Sequence, residues 1–169
     1  ANPMSIYSKY KDTRTSWGMN AIKGIFVEVF TEEGHHGFAT GFGGYISSWI
    51  IKNHLNRFLI GQDARNLTLM YDQMYRAALP YSGQNGVVMN TIAAIDLALW
   101  DLLGKIRNEP VYKLIGGNVK DKLQTYVTGV KPKLYKEWGH AGAKIPLAYG
   151  PGDGPAGLKK NVEIIMEAR

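Results

Sequence analysis

The chain predicts an α+β domain followed by the opening strands of a parallel βα fold, and three stretches carry that prediction. Ile22 to Phe30 is β-branched and aromatic, turns at Thr31-Glu32-Glu33-Gly34 and returns from His36 to Thr40, the pattern of a hairpin. Val87 to Arg107 has apolar residues at three- and four-residue steps, the pattern of one long helix. After Val119 the pattern becomes strand, helix, strand, helix, which points to parallel strands covered by helices.

Residues 1 to 20 are polar and aromatic without periodicity and read as a loop or an extended lead-in with Arg14 in its middle. In the first strand Ile25, Val27 and Val29 alternate with Phe26, Glu28 and Phe30, so the two sets occupy opposite faces. His35 and His36 are adjacent on the returning strand, point to opposite faces and are poorly placed to share one metal ion. Gly41 to Gly44 forms a flexible loop before a helix from about Ile46 to Phe58, with Ile50, Ile51, His54, Leu55 and Phe58 on its packed side. That loop lacks the glycine and lysine pattern of a phosphate cradle, so a turn is the expectation. Asn66 or Thr68 caps a further helix to about Leu79, with Leu69, Met70, Gln73, Met74 and Ala77 facing inward. Pro80 to Asn85 reads as a turn-rich loop.

The long helix places Val88, Ile92, Ile95, Leu99, Leu102 and Ile106 on one stripe. Ala93, Ala94, Leu97, Ala98, Trp100 and Leu103 widen it beyond one stripe, so burial on several sides is expected, with alanines admitting close neighbours. Asp101 precedes Lys105 by four residues, the favourable order for a surface ion pair. Asp96, between Ile95 and Leu97, needs a partner if it faces an apolar layer, and a structural cap is the reading preferred over catalysis. Asn108 and Glu109-Pro110 end the helix. Pro110 to Ile115 is a short helical piece stopped by Gly116-Gly117. Leu123 to Val127 and Ala141 to Leu147 are the expected strands; Pro132 to Trp138 and Gly157 to Ala168 are the helices after them. Two strands leave open edges, so a barrel or wound sheet is expected to begin near Val119 and continue beyond Arg169.

Composition is that of a globular protein: 169 residues, 45% apolar and 20% charged. Without cysteine there is no disulfide framework, thiolate metal site or thiol nucleophile, which fits a reducing, cytoplasmic setting. No uninterrupted apolar run approaches the ~20 residues of a membrane span, and no signal-peptide pattern opens the chain. The net charge of +6 is scattered rather than clustered, so neither nucleic acid nor membrane is an expected partner. Both chain ends read as cut, the first because it lacks methionine and the last because it falls inside an amphipathic helix.

Asn90 to Lys105 (NTIAAIDLALWDLLGK), followed by Pro110-Val111-Tyr112, Leu114, Gly116-Gly117 and a strand ending in Tyr126, resembles the mandelate racemase/muconate lactonizing enzyme branch of the enolase superfamily. Within that branch, Asn2 to Asn20, Asp72-Gln73-Met74, Tyr81 to Gly83 and Gly142 to Pro146 are similar to the rhamnonate dehydratase family. The resemblance implies an α+β capping domain, hairpin plus helices, over 1–118. It also implies that 119–169 are the first βα units of a modified TIM (β/α) barrel, truncated here.

The resemblance further implies Mg²⁺-dependent removal of water from a sugar acid through an enediolate, L-rhamnonate giving 2-keto-3-deoxy-L-rhamnonate, with three acidic metal ligands and a histidine base beyond Arg169. Arg14 matches an arginine of the family's substrate-contacting N-terminal loop, where a planar guanidinium suits a carboxylate or hydroxyls. Lys144 stands where relatives carry the first lysine of a Lys-x-Lys pair and is implied to stabilise charge on the substrate carboxylate. Pro146 replaces the second lysine, which leaves proton abstraction to another group. His35, His36, His54 and His140 match none of the family's catalytic histidines, so no catalytic or metal-binding residue is expected within these residues. A small-molecule sugar acid as partner and a homo-oligomer are implied in the same way. Another acid-sugar dehydratase, a racemase, or a noncatalytic ligand-binding or interaction module retaining the cap are the alternatives.

Overall fold

The computed structural model describes residues 3–11, 23–82 and 85–169. The chain divides into two compact units, Met19–Val119 and Ala1–Gly18 with Lys120–Arg169.

In the first unit, β1 (Gly24–Phe30) and β2 (His36–Phe42) pair antiparallel in the register Val27 to Ala39, with the inner face formed by residues 25, 27 and 29 against 37, 39 and 41. The hairpin is followed by α1 (Gly44–Asn53), a 3-10 turn (Leu55–Phe58), α2 (Leu67–Ser82), α3 (Gly86–Arg107) and α4 (Val111–Leu114). The predicted helix to Phe58 breaks at His54, whose φ of −131° leaves helical geometry. α2 runs on through Pro80 to Ser82, so the predicted loop at Pro80 begins later. In the last turn a proline removes just one backbone bond, the one Arg76 would accept, and the helix tolerates it. The inner side of α2 is Leu67, Met70, Met74 and Ala78; Leu69 is exposed instead of inward.

α3 is the core. It buries Thr91, Ile92, Ala94, Ile95, Ala98, Leu99, Leu102, Leu103 and Gly104, and it packs on β2, β1, α2 and α1. Ala93 and Leu97 are exposed, so the apolar surface is wide without encircling the helix. α3 is long and apolar enough to cross a bilayer, but its buried side is filled here by the hairpin and the neighbouring helices. The sequence-level reason for the close hairpin contact is the run of small residues Gly37, Ala39 and Gly41 on the inner face of β2. A Cβ on Gly37 would overlap the Ala98 carbonyl and the Leu102 amide, and one on Gly41 would come within 2.6 Å of the Ala94 Cβ. Asn108 ends α3 in the left-handed region at φ 52°, its N–H donating to the Gly104 and Lys105 carbonyls.

A buried hydroxyl pair ties three elements of this unit together. Ser47 Oγ donates to the Phe42 carbonyl at 3.1 Å, and Thr91 Oγ1 reaches both Ser47 Oγ (2.6 Å) and the Val87 carbonyl (2.7 Å). Both side chains are fully buried, and the strand end, α1 and α3 meet at this point.

The second unit contains 3-10 turns at Pro3–Ile6 and Ser8–Tyr10, where the sequence suggested loop or extended chain. They are followed by β3 (Tyr126–Thr128), α5 (Pro132–Glu137), β4 (Gly142–Lys144), a 3-10 turn (Pro151–Asp153) and α6 (Gly154–Ala168). β3 and β4 pair in parallel, Tyr126 to Gly142 and Thr128 to Lys144. Both strands are three residues long, shorter than the predicted runs. Among the described residues of this unit only Ser5, Gly157 and Asn161 are buried, and no apolar side chain is.

Candidate functional site

Thr128 and Lys144 are register partners at the C-terminal ends of the two parallel strands, so their side chains leave the sheet on the same face. The chain is fixed there, because the Gly129 N–H donates to the Lys144 carbonyl at 3.1 Å. A Cβ on Gly129 would overlap the Tyr135 hydroxyl arriving from α5, so a larger residue there would displace that ring. Lys144 is exposed and, among the described residues, makes no ion pair. An amine held at a strand end and free of an internal carboxylate is able to meet an anionic group. Ile145 and Pro146 follow immediately, so no second amine projects two residues on.

The loop after β4 is held at three points. Asn161, buried in α6, accepts the Tyr149 N–H at 3.1 Å and donates to the Tyr149 carbonyl at 3.0 Å. The Asp153 carboxylate accepts the Gly150 N–H at 2.8 Å. Ser5 Oγ accepts the Gly152 N–H at 3.0 Å, and Gly152 lies so close to the Ser5 carbonyl that a Cβ would not fit. These restraints preorganise the backbone following Lys144, which matters for any group that must hold a ligand at that end. Sequence reasoning missed Ser5, Thr128 and Asn161. Each is a polar residue in an unremarkable local pattern, and its role comes from a contact distant in the chain.

The opposite ends of the strands carry a different arrangement. Ala141 N–H donates to the Thr125 carbonyl at 2.9 Å, and Thr125 Oγ1 and His140 Nδ1 are 2.8 Å apart. His140 therefore precedes β4 at the end away from Lys144. The other histidines belong to the first unit: His36 Nδ1 contacts Glu28 Oε1 at 3.0 Å, and the His54 ring meets Phe58 edge-on at 5.9 Å. Among the described residues no three His, Asp or Glu side chains could jointly hold a metal ion, so this part of the chain does not fit a Mg²⁺ site. Arg14 lies outside the described residues.

Two carboxylates on α3 were singled out from sequence. Asp101 makes the expected pair with Lys105 at 2.6 Å and also accepts the Phe38 N–H at 2.9 Å. Asp96 is half-buried, and burial raises its carboxyl above the usual range. It has no hydrogen-bond partner among the described residues, so the expected capping contact is not made by them.

The N-terminal domain model of the mandelate racemase / muconate lactonizing enzyme family matches residues 13–116. A curated protein of Caldivirga maquilingensis, provisionally named an L-rhamnonate dehydratase, is 48% identical over 169 residues. All of this chain is covered, and it spans 42% of that protein's length. The crystal structure of L-rhamnonate dehydratase from Gibberella zeae is similar with a TM-score of 0.93 and 50% identity, covering 100% of this chain and 43% of that one. Rhamnonate dehydratase from the same organism, complexed with Mg, gives a TM-score of 0.92 at 49% identity over 99% of this chain and 41% of its own. The 3,6-anhydro-D-galactonate cycloisomerase of Zobellia galactanivorans is more distant, with a TM-score of 0.69 and 30% identity over 85% of this chain and 42% of its own.

Proposed function

From the premise that the chain belongs to the mandelate racemase/muconate lactonizing enzyme family of the enolase superfamily, we propose that it is the N-terminal portion of a sugar-acid dehydratase acting on L-rhamnonate. The proposed division places the cap in 1–118 and the first βα units of a (β/α) barrel in 119–169. The observation that carries the reading is the parallel pair Tyr126–Thr128 and Gly142–Lys144, ending in a lysine that meets no carboxylate among the described residues, in a unit whose described residues include no buried apolar side chain. Such a pair is what the start of a barrel contributes, with its functional groups at the strand C-termini and its core supplied by further βα units. Identity near one half to proteins named for L-rhamnonate supports the substrate.

In this reading Lys144 binds the substrate carboxylate and favours the extra negative charge that develops when the neighbouring C–H proton leaves. Arg14 supplies a second, bidentate contact to the sugar acid. Pro146 carries no base, so the proton goes to a group in the length of the relatives that this chain does not match, where the carboxylates for Mg²⁺ are also proposed to lie. When bound, that ion supplies Lewis-acid stabilisation of the carboxylate. A two-base racemase is the weaker reading because the second lysine position is proline. The same proposal makes the protein a cytoplasmic homo-oligomer of carbohydrate-acid catabolism.

The test is an assay of the full-length protein against L-rhamnonate and its epimers, with and without Mg²⁺. Formation of the 2-keto-3-deoxy acid that stops on chelation is the expected result. No turnover across the acid-sugar panel, or turnover indifferent to the metal, would reject the reading.

A further inference from the structure

Among the described residues of the second unit three are buried, Ser5, Gly157 and Asn161, and all three bear on one loop. Ser5 Oγ accepts the Gly152 N–H at 3.0 Å. Asn161 holds both the N–H and the carbonyl of Tyr149. Gly157 lies against the Tyr149 and Asp153 side chains, so closely that a Cβ there would overlap that of Asp153. The loop they hold, 149–153, reads Tyr-Gly-Pro-Gly-Asp. Two glycines in five residues admit many backbone conformations, so the shape of this loop is set largely from outside it. One of those outside restraints comes from 147 residues earlier in the chain.

The Ser5 contact is an interlock as well as a hydrogen bond. The turn Pro3–Ile6 packs on the turn Pro151–Asp153. Because Gly152 has no side chain, the Ser5 carbonyl and the Ile6 nitrogen come up against its Cα, in the space a Cβ would take. Ser5 is only 3% exposed, so water competes little for its hydroxyl. Further chain packed on this unit would deepen that burial and not undo it.

The held loop sits directly behind Lys144. Only four residues, 145–148, separate the lysine from the pinned Tyr149. The near end of that span is fixed by the pairing of Thr128 with Lys144 and by the Gly129 N–H on the Lys144 carbonyl. β4 is three residues long and is a weak anchor by itself. With so short a span between two anchors, a shift of the loop passes into the backbone that carries the lysine. A lysine ammonium rides on a flexible four-carbon stem, and a group that meets a reacting carboxylate needs its supports locked to within about 0.5 Å.

We propose that Ser5 is a positioning residue for Lys144: from near the start of the chain it locks the loop 149–153, and through it the strand end that presents the lysine to the sugar acid. The proposal rests on the dehydratase reading for what Lys144 does, and on the Ser5–Gly152 contact for how the lysine is held.

The test uses the full-length protein with Mg²⁺ on L-rhamnonate. Ser5→Ala removes the hydroxyl, and Gly152→Ala attacks the same contact from the other side; each is made alone and together with Lys144→Met. Each single variant should lower kcat/KM about 10-fold, short of the ~100-fold that a 1 Å misplacement can cost. In the Lys144→Met background the same changes should alter kcat/KM by less than about 2-fold, because the group they position is gone and the effects are not additive. A merely structural contact would lower activity equally in both backgrounds. Hydrogen exchange gives a second readout that needs no turnover: amides within 145–153 should exchange faster in Ser5→Ala, while those of α3 keep wild-type protection and show that the variant is folded. Wild-type kcat/KM in both single variants, equal losses with and without Lys144, or unchanged exchange at 145–153 would overturn the proposal. If the wild type itself does not turn over L-rhamnonate, the dehydratase reading falls and the role of Ser5 falls with it. An active wild type matched by both variants removes the role of Ser5 alone.

Discussion

The Asp101 carboxylate, on the central helix, accepts the backbone N–H of Phe38 on the second hairpin strand at 2.9 Å. That N–H points away from β1, and a helix side chain takes the place a third strand would have filled. The same carboxylate holds Lys105 at 2.6 Å, and the Lys105 ammonium lies over the Phe38 ring. A pairing that reads in sequence as an ordinary surface ion pair therefore joins helix to sheet.

Replacing Asp101 by alanine should cost about 1–2 kcal/mol, since it strips a charged partner from the Phe38 N–H as well as from Lys105. Partial burial pushes the Asp101 carboxyl up, but the Lys105 and Phe38 hydrogen bonds together outweigh it and hold the group below the usual range. A carboxyl lowered by folding stabilises fully above its unfolded pKa, ~3.9, and that contribution is lost as pH falls through the folded value. Denaturant titrations from pH 7 down to pH 3 should show the gap between wild type and Asp101→Asn narrowing at the acid end.

Asp96 has the opposite sign. Burial raises its carboxyl in the folded state, so the folded form binds more protons between the two pKa values and stability falls as pH rises through that window. Asp96→Asn should stabilise the protein at pH 7 by up to about 1 kcal/mol, allowing for solvent screening of a half-buried charge. The gain should vanish below pH ~4, as read from melting temperature against pH.

Gly37→Ala should destabilise by about 3 kcal/mol, the upper end of overpacking costs, because the added methyl meets the Ala98 carbonyl and the Leu102 amide, and backbone cannot step aside as a side chain can. Gly34→Ala is the control: its φ of +88° strains an alanine, but nothing lies within 4 Å. It should cost about 1–2 kcal/mol. Equal losses at the two positions would mean that β2 and α3 are not in the close contact described.

Thr91→Val and Ser47→Ala should each cost about 1–2 kcal/mol, because each leaves part of a buried hydroxyl pair unpartnered. Their effects should not add. A double-mutant cycle should return a coupling of roughly 0.5–1.5 kcal/mol, and additive losses would show that the 2.6 Å Thr91–Ser47 contact contributes nothing of its own.

Much of this architecture was legible in the residues, for reasons that differ by element. The hairpin and α3 announce themselves because periodicities of 2 and 3.6 are imposed by one-sided burial. Parallel pairing of the later strands followed from the helix between them, since a strand that returns through a helix has crossed over. Lengths were harder: Leu123 to Val127 and Ala141 to Leu147 look fully extended by composition, yet the paired residues are only Tyr126–Thr128 and Gly142–Lys144, in a unit whose described residues include no buried apolar side chain. The Gly37-Ala39-Gly41 face was also invisible, because glycine scores as a strand breaker until a helix is placed against it. At the candidate site Lys144 could be placed by resemblance. The contacts that hold the chain beside it, Ser5 to Gly152 and Asn161 to Tyr149, bridge residues that no local pattern connects.

The central claim is that the strand ends carrying Lys144 face the reaction, and the kinetics of Lys144→Met in the full-length protein on L-rhamnonate test it most directly. Lys144 is exposed and has no internal ion pair among the described residues, so the variant should fold with an unchanged melting temperature. Its kcat/KM should drop about 100-fold or more, the scale of losing one charge-stabilising group, and Lys144→Arg should recover part of it. A Lys144→Met enzyme with wild-type kcat/KM and wild-type stability would contradict the account.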